Sequence, residues 1–167
     1  LLIYLGALLS DLVPAEVYQL HREPQDWSWQ PFQDGAHPFP RLARSGNPQG
    51  VPCLLLALSS DIAQSRIEAV LGSDLDLWTI TIDSPHNDVM QSREQLGVFR
   101  QVARQALEGL NQAHLEATEI HVFPVAPVSA CVELGRVVQP RACHPLLIYN
   151  QISPGAGFKP ATRINNP

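Results

Sequence analysis

VPCLLLALSSDIAQSRIEAVLGSDLDLWTITI, residues 51–82, is the stretch that decides the fold. Its first eight residues are a continuous apolar run of strand length, as expected where helices cover both faces of a sheet. Residues 61–71 then place Ile62, Ile67, Val70 and Leu71 near one helical face, and Gly72 follows as a terminator. LDLWTITI (75–82) is rich in β-branched and aromatic residues and reads as a second strand. Strand, helix and strand in this order imply a right-handed crossover between parallel neighbours.

Toward the C-terminus the same rhythm repeats. After the polar turn DSPHND (83–88), Ser92 and Gln95 form a capping box, and Leu96, Phe99, Ala103, Ala106, Leu107 and Leu110 recur at helical spacing. EIHVF (119–123) is a third strand, VSACVELGRVV (128–138) a helix and PLLIY (145–149) a fourth strand. The order β-α-β-α-β-α-β predicts an α/β, Rossmann-like three-layer lobe with a mainly parallel sheet over residues 51–152. The tail, 153–167, carries Pro154, Gly155 and Gly157 and is expected to be partly extended and irregular.

Toward the N-terminus the pattern weakens. Residues 23–50 hold Pro24, Pro31, Pro38, Pro40 and Pro48 with three glycines and sustain neither regular period, so a long irregular connection is expected, centred on 31–50. AEVYQLHR (15–22) alternates in a way that suits a strand, and residues 1–12 read as a helix stopped by Pro14. The opening LLIYLGALL has neither a preceding basic segment nor a following A-x-A site, so it reads as an interior helix and not as a leader. Because it begins inside an amphipathic segment, the chain is expected to be a fragment lacking residues before Leu1.

Composition narrows the function. Of 167 residues 45% are hydrophobic and 16% charged, and no stretch approaches the roughly 20 apolar residues that span a bilayer. A net charge of -5 argues against a general nucleic-acid coat while permitting a pocket with a few local cations. Cys53, Cys131 and Cys143 are odd in number and lack CxxC pairing, which fits buried thiols in a reducing cytoplasm.

In an open parallel sheet ligands bind beyond the carboxyl ends of the strands. Four segments occupy such positions: Ser59-Ser60-Asp61, Asp83 to Asp88, Pro124 to Ser129 and Asn150-Gln151. Ser59 and Ser60 can hold a phosphate at a helix N-terminus, or simply cap that helix; the two roles are compatible. Neither GxGxxG nor a P-loop is present, which removes the main support for dinucleotide and NTP binding. Asp83, His86 and Asp88 are expected to form a solvated turn in preference to a metal site, and His114 and His121 belong to no HExxH or Cys/His cluster, so no metal is assigned. No serine lies in a GxSxG context. Arg22 with Trp27 and Trp29 offers a cation and aromatics in a Pro-rich loop, suited to pairing with phosphate and stacking on bases, or to plugging a junction between lobes.

Four segments, HREPQDWSW (21–29), LLLALSSDI (54–62), HVFPVAPVSACVELGR (121–136) and LLIYNQ (146–151), resemble those of SAVED domains. The arrangement FPxAPxSxxxxLGR from Phe123 to Arg136 is the most specific part. The resemblance implies a domain of two fused CARF-like Rossmann lobes, here the end of a first lobe (1–30), the connection, and a second lobe (51–152). It further implies a cytoplasmic, non-catalytic sensor in cyclic-oligonucleotide-based antiphage signalling (CBASS). Its ligand is a cyclic di-, tri- or tetranucleotide made by a partner nucleotidyltransferase, with no cofactor. Binding drives homo-oligomerisation that activates a fused nuclease, protease or TIR effector. The ligand-binding residues expected on this basis are Ser59, Ser60, Pro124, Ala126, Pro127, Ser129, Arg22, Trp27 and Trp29. Ser129 also qualifies as a cap for its helix, while Arg136 qualifies for a structural or intersubunit role. Two other readings stand beside the sensor: a ring-nuclease-like enzyme that cleaves its cyclic ligand, and a structural lobe for oligomerisation.

Overall fold

A computed structural model describes residues 1–9, 14–32, 38–139, 142–153 and 157–165. Its elements run α1 (Leu2–Leu9), β1 (Arg41–Gly46), β2 (Val51–Ala57), α2 (Ser65–Leu71), β3 (Leu75–Thr81), α3 (Arg93–Ala113), β4 (Ile120–Val125), α4 (Val128–Val137), β5 (Leu146–Gln151) and β6 (Phe158–Ile164). Six strands form one sheet among the described residues, in the order β1-β3-β2-β4-β5-β6. The inner four are parallel, and the two outer strands run antiparallel to their neighbours.

The expected three layers are present. Leu54, Leu56 and Leu58 of the β2 run join Ile80, Val122 and Ile148 against Leu96, Phe99, Ala103 and Leu107 of α3 and Leu134 of α4. Cys53, Leu55 and Ala57 point the other way, with Leu75, Leu77, Phe123 and Tyr149, toward Ile67 of α2. Alternate side chains of a continuous apolar run therefore serve both faces. The α3 capping box forms as the residues predict: the Ser92 hydroxyl accepts from the Gln95 N–H, and the Gln95 side chain accepts from the Ser92 N–H. Burial pushes the Cys53 and Cys131 thiols up to about 12.

Helix α1 lies on α4 through two glycines. A Cβ on Gly6 would stand 2.0 Å from the Val132 carbonyl oxygen, and one on Gly135 would stand 1.9 Å from that of Ile3. The two backbones meet, which only residues without a side chain permit.

Several sequence expectations are corrected. Residues 15–22 form no strand; this extended strap is held by side chains, with Gln19 and His21 buried and Tyr18 and Leu20 exposed. The alternation is real, but its two fully buried members, Gln19 and His21, are polar. Part of the expected irregular connection is strand β1, an exposed edge of which only Leu42 is half-buried. Likewise the expected irregular tail contains β6, anchored by Phe158 and Ile164 and accommodating Pro160 beside a register shift in its pairing with β5. The sheet thus spans 41–164 and not 51–152. Helix α2 begins at Ser65, four residues later than expected. The ends of the predicted first helix (10–12), the middle of the connection (33–37) and Pro154–Gly155 of the tail lie outside the described residues.

Candidate functional site

Strand β2 lies between β3 and β4. The chain leaves β2 through α2 to reach β3, then recrosses through α3 to reach β4. This reversal makes the carboxyl ends of β2 and β4 the switch point, the place where open α/β sheets bind ligands in a crevice. Here the strand exits are bonded together: the N–H groups of Leu58 and Ser59 donate to the Val125 carbonyl at 3.0 and 2.9 Å, and the His86 N–H donates to the Leu58 carbonyl at 3.1 Å. Three of the four candidate loops therefore meet at one point.

Ser59 is half-buried and Ser60 exposed. Neither caps α2, whose N-cap is Gln64, so the expected capping role is corrected. Pro124, the penultimate residue of β4, is half-buried, Ala126 is half-buried, and Pro127 is the buried N-cap of α4. Ser129 is fully buried and donates its hydroxyl to Gln19 Oε1 at 2.7 Å. It neither caps α4 nor reaches the surface through its side chain. Gln19 Nε2 in turn donates to the Met90 carbonyl at 3.2 Å, so this one buried amide joins the β3–α3 and β4–α4 loops.

The loop 21–27 is closed by a hydrogen bond from the His21 N–H to the Asp26 carbonyl at 2.8 Å. Arg22 is exposed, and Trp27 is 58% exposed. Trp29 turns inward, edge-on to the buried His21 ring at 5.4 Å between centroids. The two tryptophans thus divide the roles foreseen for them: Trp29 packs against the core and Trp27 presents an open aromatic face. Asp26 accepts from the Trp27 N–H at 2.6 Å, which holds its carboxyl below the ordinary value.

The DSPHND turn is more than solvated polar residues. Asp83 pairs with Arg41, Ser84 takes a positive φ of 57°, and Asp88 Oδ2 faces the N–H groups of Arg22 and Glu23 at 3.2 and 3.4 Å. Among the described residues no three His, Cys, Asp or Glu side chains gather as metal ligands. His121 sits by the Tyr149 hydroxyl at 3.0 Å, with burial holding its imidazole below the ordinary value. His114 meets Asp76 at 2.7 Å, and Asp76 also accepts from Arg44 at 2.8 and 2.9 Å and from Trp78 at 3.0 Å. Burial raises the Asp76 pKa, but these hydrogen bonds together outweigh it and hold the carboxyl below its ordinary value.

Two cavities each have a candidate residue on their walls, Pro124 in one and Trp29 in the other. One of about 530 Å³, between the start of α1 and strands β5 and β6, is lined by Leu2, Pro124, Cys131, Asn150 and Thr162 among others. It brings Pro124 together with the exit of the fourth parallel strand. The other, about 250 Å³, lies between the strap and α3, with Glu16, Trp29, Arg93, Arg100 and Glu133 on its walls. Arg136 is buried and works in the structure: it donates to Glu133 and to the Ala15 carbonyl, both at 2.9 Å. Sequence reasoning missed Gln19 and read Asp88 only as part of a solvated turn. The period-2 alternation of 15–22, with polar residues at positions 19 and 21, carried the signal for the former.

The family model for the SMODS-associated and fused to various effectors sensor domain, SAVED, matches residues 1–164. Among solved structures, the chain is similar to the Acinetobacter baumannii Cap4 SAVED/CARF-domain containing receptor with the cyclic trinucleotide 2'3'3'-cAAA. There the TM-score is 0.66 at 15% identity, covering 98% of this chain and 36% of that one. With 3'3'3'-cAAA the values are 0.66, 14%, 98% and 35%, and a further structure of that receptor gives 0.54, 17%, 76% and 26%. The chain thus spans about a third of the length of these two receptor structures, and at these identities the likeness is one of fold. A comparison with curated proteins gives no match. The sheet, its crevice and a family match over nearly the whole chain lead to one conclusion: this chain belongs to the SAVED family of sensor domains.

Proposed function

We propose that this chain binds a cyclic oligonucleotide across the crevice formed by the exits of β2, β3 and β4, and leaves the ring intact. The observation that carries this reading is the convergence of three strand exits at the switch point, with the Arg22–Trp27 loop bonded to one of them. A cyclic oligonucleotide presents phosphates and flat bases together. Arg22 supplies a cation for phosphate, Trp27 a stacking face, and Ser59, Ser60 and the first-turn N–H groups of α4 supply donors. Pro124 and Ala126 shape the wall. Pro127, Ser129 and Trp29 support the site from beneath.

The matched receptors hold cyclic trinucleotides, which favours that ring size among di-, tri- and tetranucleotides. In this reading residues 1–30 close a first CARF-like lobe. The protein acts in the cytoplasm on a ring made by a partner nucleotidyltransferase. Binding drives homo-oligomerisation, which activates a fused nuclease, protease or TIR effector. The test is to incubate the full-length protein with cyclic di-, tri- and tetranucleotides and follow melting temperature, oligomer size and ligand integrity together. A melting shift and larger oligomers with intact ligand support the sensor. Linear products would instead establish a ring-cleaving enzyme, and oligomers that form equally without ligand a structural lobe.

A further inference from the structure

We propose that Asp88 is the positioning residue of this site, clamping the loop that carries Arg22 and Trp27 against the strand exits. The inference rests on the ligand reading above. Asp88 occupies a polar turn, yet its side chain is only 13% exposed, and both carboxylate oxygens face the 21–27 loop. Oδ2 accepts from the successive N–H groups of Arg22 and Glu23 at 3.2 and 3.4 Å, and Gln91 Nε2 stands 3.5 Å from the same oxygen. Successive N–H groups that converge in this way form a concave seat for an anion. Oδ1 stands 3.5 Å from Nδ1 of His21, a fully buried ring whose nitrogens have no hydrogen-bond partner among the described residues.

Bonds on the far side of Asp88 complete the clamp. Its own N–H donates to His86 Nδ1 at 3.3 Å, and the His86 N–H donates to the Leu58 carbonyl where β2 ends. Past the loop, the Gln30 N–H donates to the Gln91 carbonyl at 2.9 Å, so both ends of the segment are tied to the same turn. Within the loop the His21–Asp26 bond draws the two ends of the segment together. A platform held this way spends little ordering entropy when a ligand arrives, and that is how a single exposed cation and a single exposed ring become effective.

The experiment compares wild type, Asp88→Ala, Asp88→Ser and Asp88→Asn in the full-length protein. Amide exchange at residues 22 and 23 is measured without ligand, and affinity for 3'3'3'-cyclic triadenylate by calorimetry. Asp88→Ala removes the acceptor; the two amides lose protection and affinity falls about ten- to a hundredfold, as for loss of hydrogen bonds to a charged group. Asp88→Ser is too short to reach both amides and carries the same expectation should Asp88→Ala not fold. Asp88→Asn keeps an oxygen in the acceptor position and restores protection and most of the affinity. Wild-type affinity in Asp88→Ala or Asp88→Ser, or unchanged protection at 22 and 23, overturns the proposal. An Asn variant as weak as Ser overturns it too. If wild type binds no ring of any size while protection is still lost in the variants, the clamp stands as structure and it is the ligand reading that fails.

Discussion

Substituting Gly135 by Ala tests the packing on which the site rests. An added Cβ would stand 1.9 Å from the Ile3 carbonyl oxygen, 2.7 Å from the Ala7 nitrogen and 2.9 Å from Gly6 Cα. All three are backbone atoms and none can rotate aside. To restore ordinary contact at 3.4 Å the helices must part by about 1.5 Å, enough to forfeit most of the dispersion along their seam. Overpacking of this kind costs up to about 3 kcal/mol, while the better helix propensity of Ala returns about 1 kcal/mol. The net loss of about 2 kcal/mol shifts the folding equilibrium about thirtyfold and the melting temperature down by roughly 4–8 °C. Gly97 supplies the control, because nothing lies within 4 Å of its added Cβ; Gly97→Ala in α3 should gain about 0.5–1 kcal/mol from propensity alone. Urea and thermal unfolding of both variants decide the matter. A Gly135→Ala protein as stable as wild type, beside a stabilised Gly97→Ala, would refute the backbone-to-backbone seam and with it the account of the LGR motif.

Trp27→Ala should weaken binding of a cyclic trinucleotide by about 1–3 kcal/mol with little change in melting temperature, whereas Trp29→Ala should lower the melting temperature first; calorimetry and thermal unfolding separate the two. Ser129→Ala leaves buried Gln19 Oε1 without its 2.7 Å donor, and a loss of about 1–3 kcal/mol in urea unfolding is expected. Because the folded Asp76 carboxyl is held below its ordinary value of 3.8, its stabilising contribution is complete above that pH and is lost as the pH falls through the lowered value. Urea midpoints measured from pH 6 to 3 should therefore fall less steeply in Asp76→Asn than in wild type.

The central lobe was legible because its elements declare themselves locally. The β2 run needs no partner to read as a strand buried on both faces, the Ser92–Gln95 capping box acts within four residues, and α3 repeats its apolar face over many turns. Alternation of strand and helix then leaves few topologies, and the FPxAPxSxxxxLGR arrangement pointed to the family. What stayed hidden depends on neighbours distant in sequence. Strands β1 and β6 are exposed edges, defined by hydrogen bonds to β3 and β5 more than by apolar content, so RLARSG and FKPATRI carry almost no signal of their own. In 15–22 the alternation was visible but its meaning was not, since an alternating pattern cannot say whether its inward face meets a sheet or the Met90 carbonyl and the side chains of Ser129 and Asp88. Ser129 and Trp27 show the same divide at the site. Both were expected to meet ligand, but residue type does not determine whether a hydroxyl is already used or a ring left open. Local chemistry determined the elements and their order, and resemblance the family; the tertiary structure decided which side chains are buried in hydrogen bonds, as Ser129 is, and which stand open, as Trp27 does.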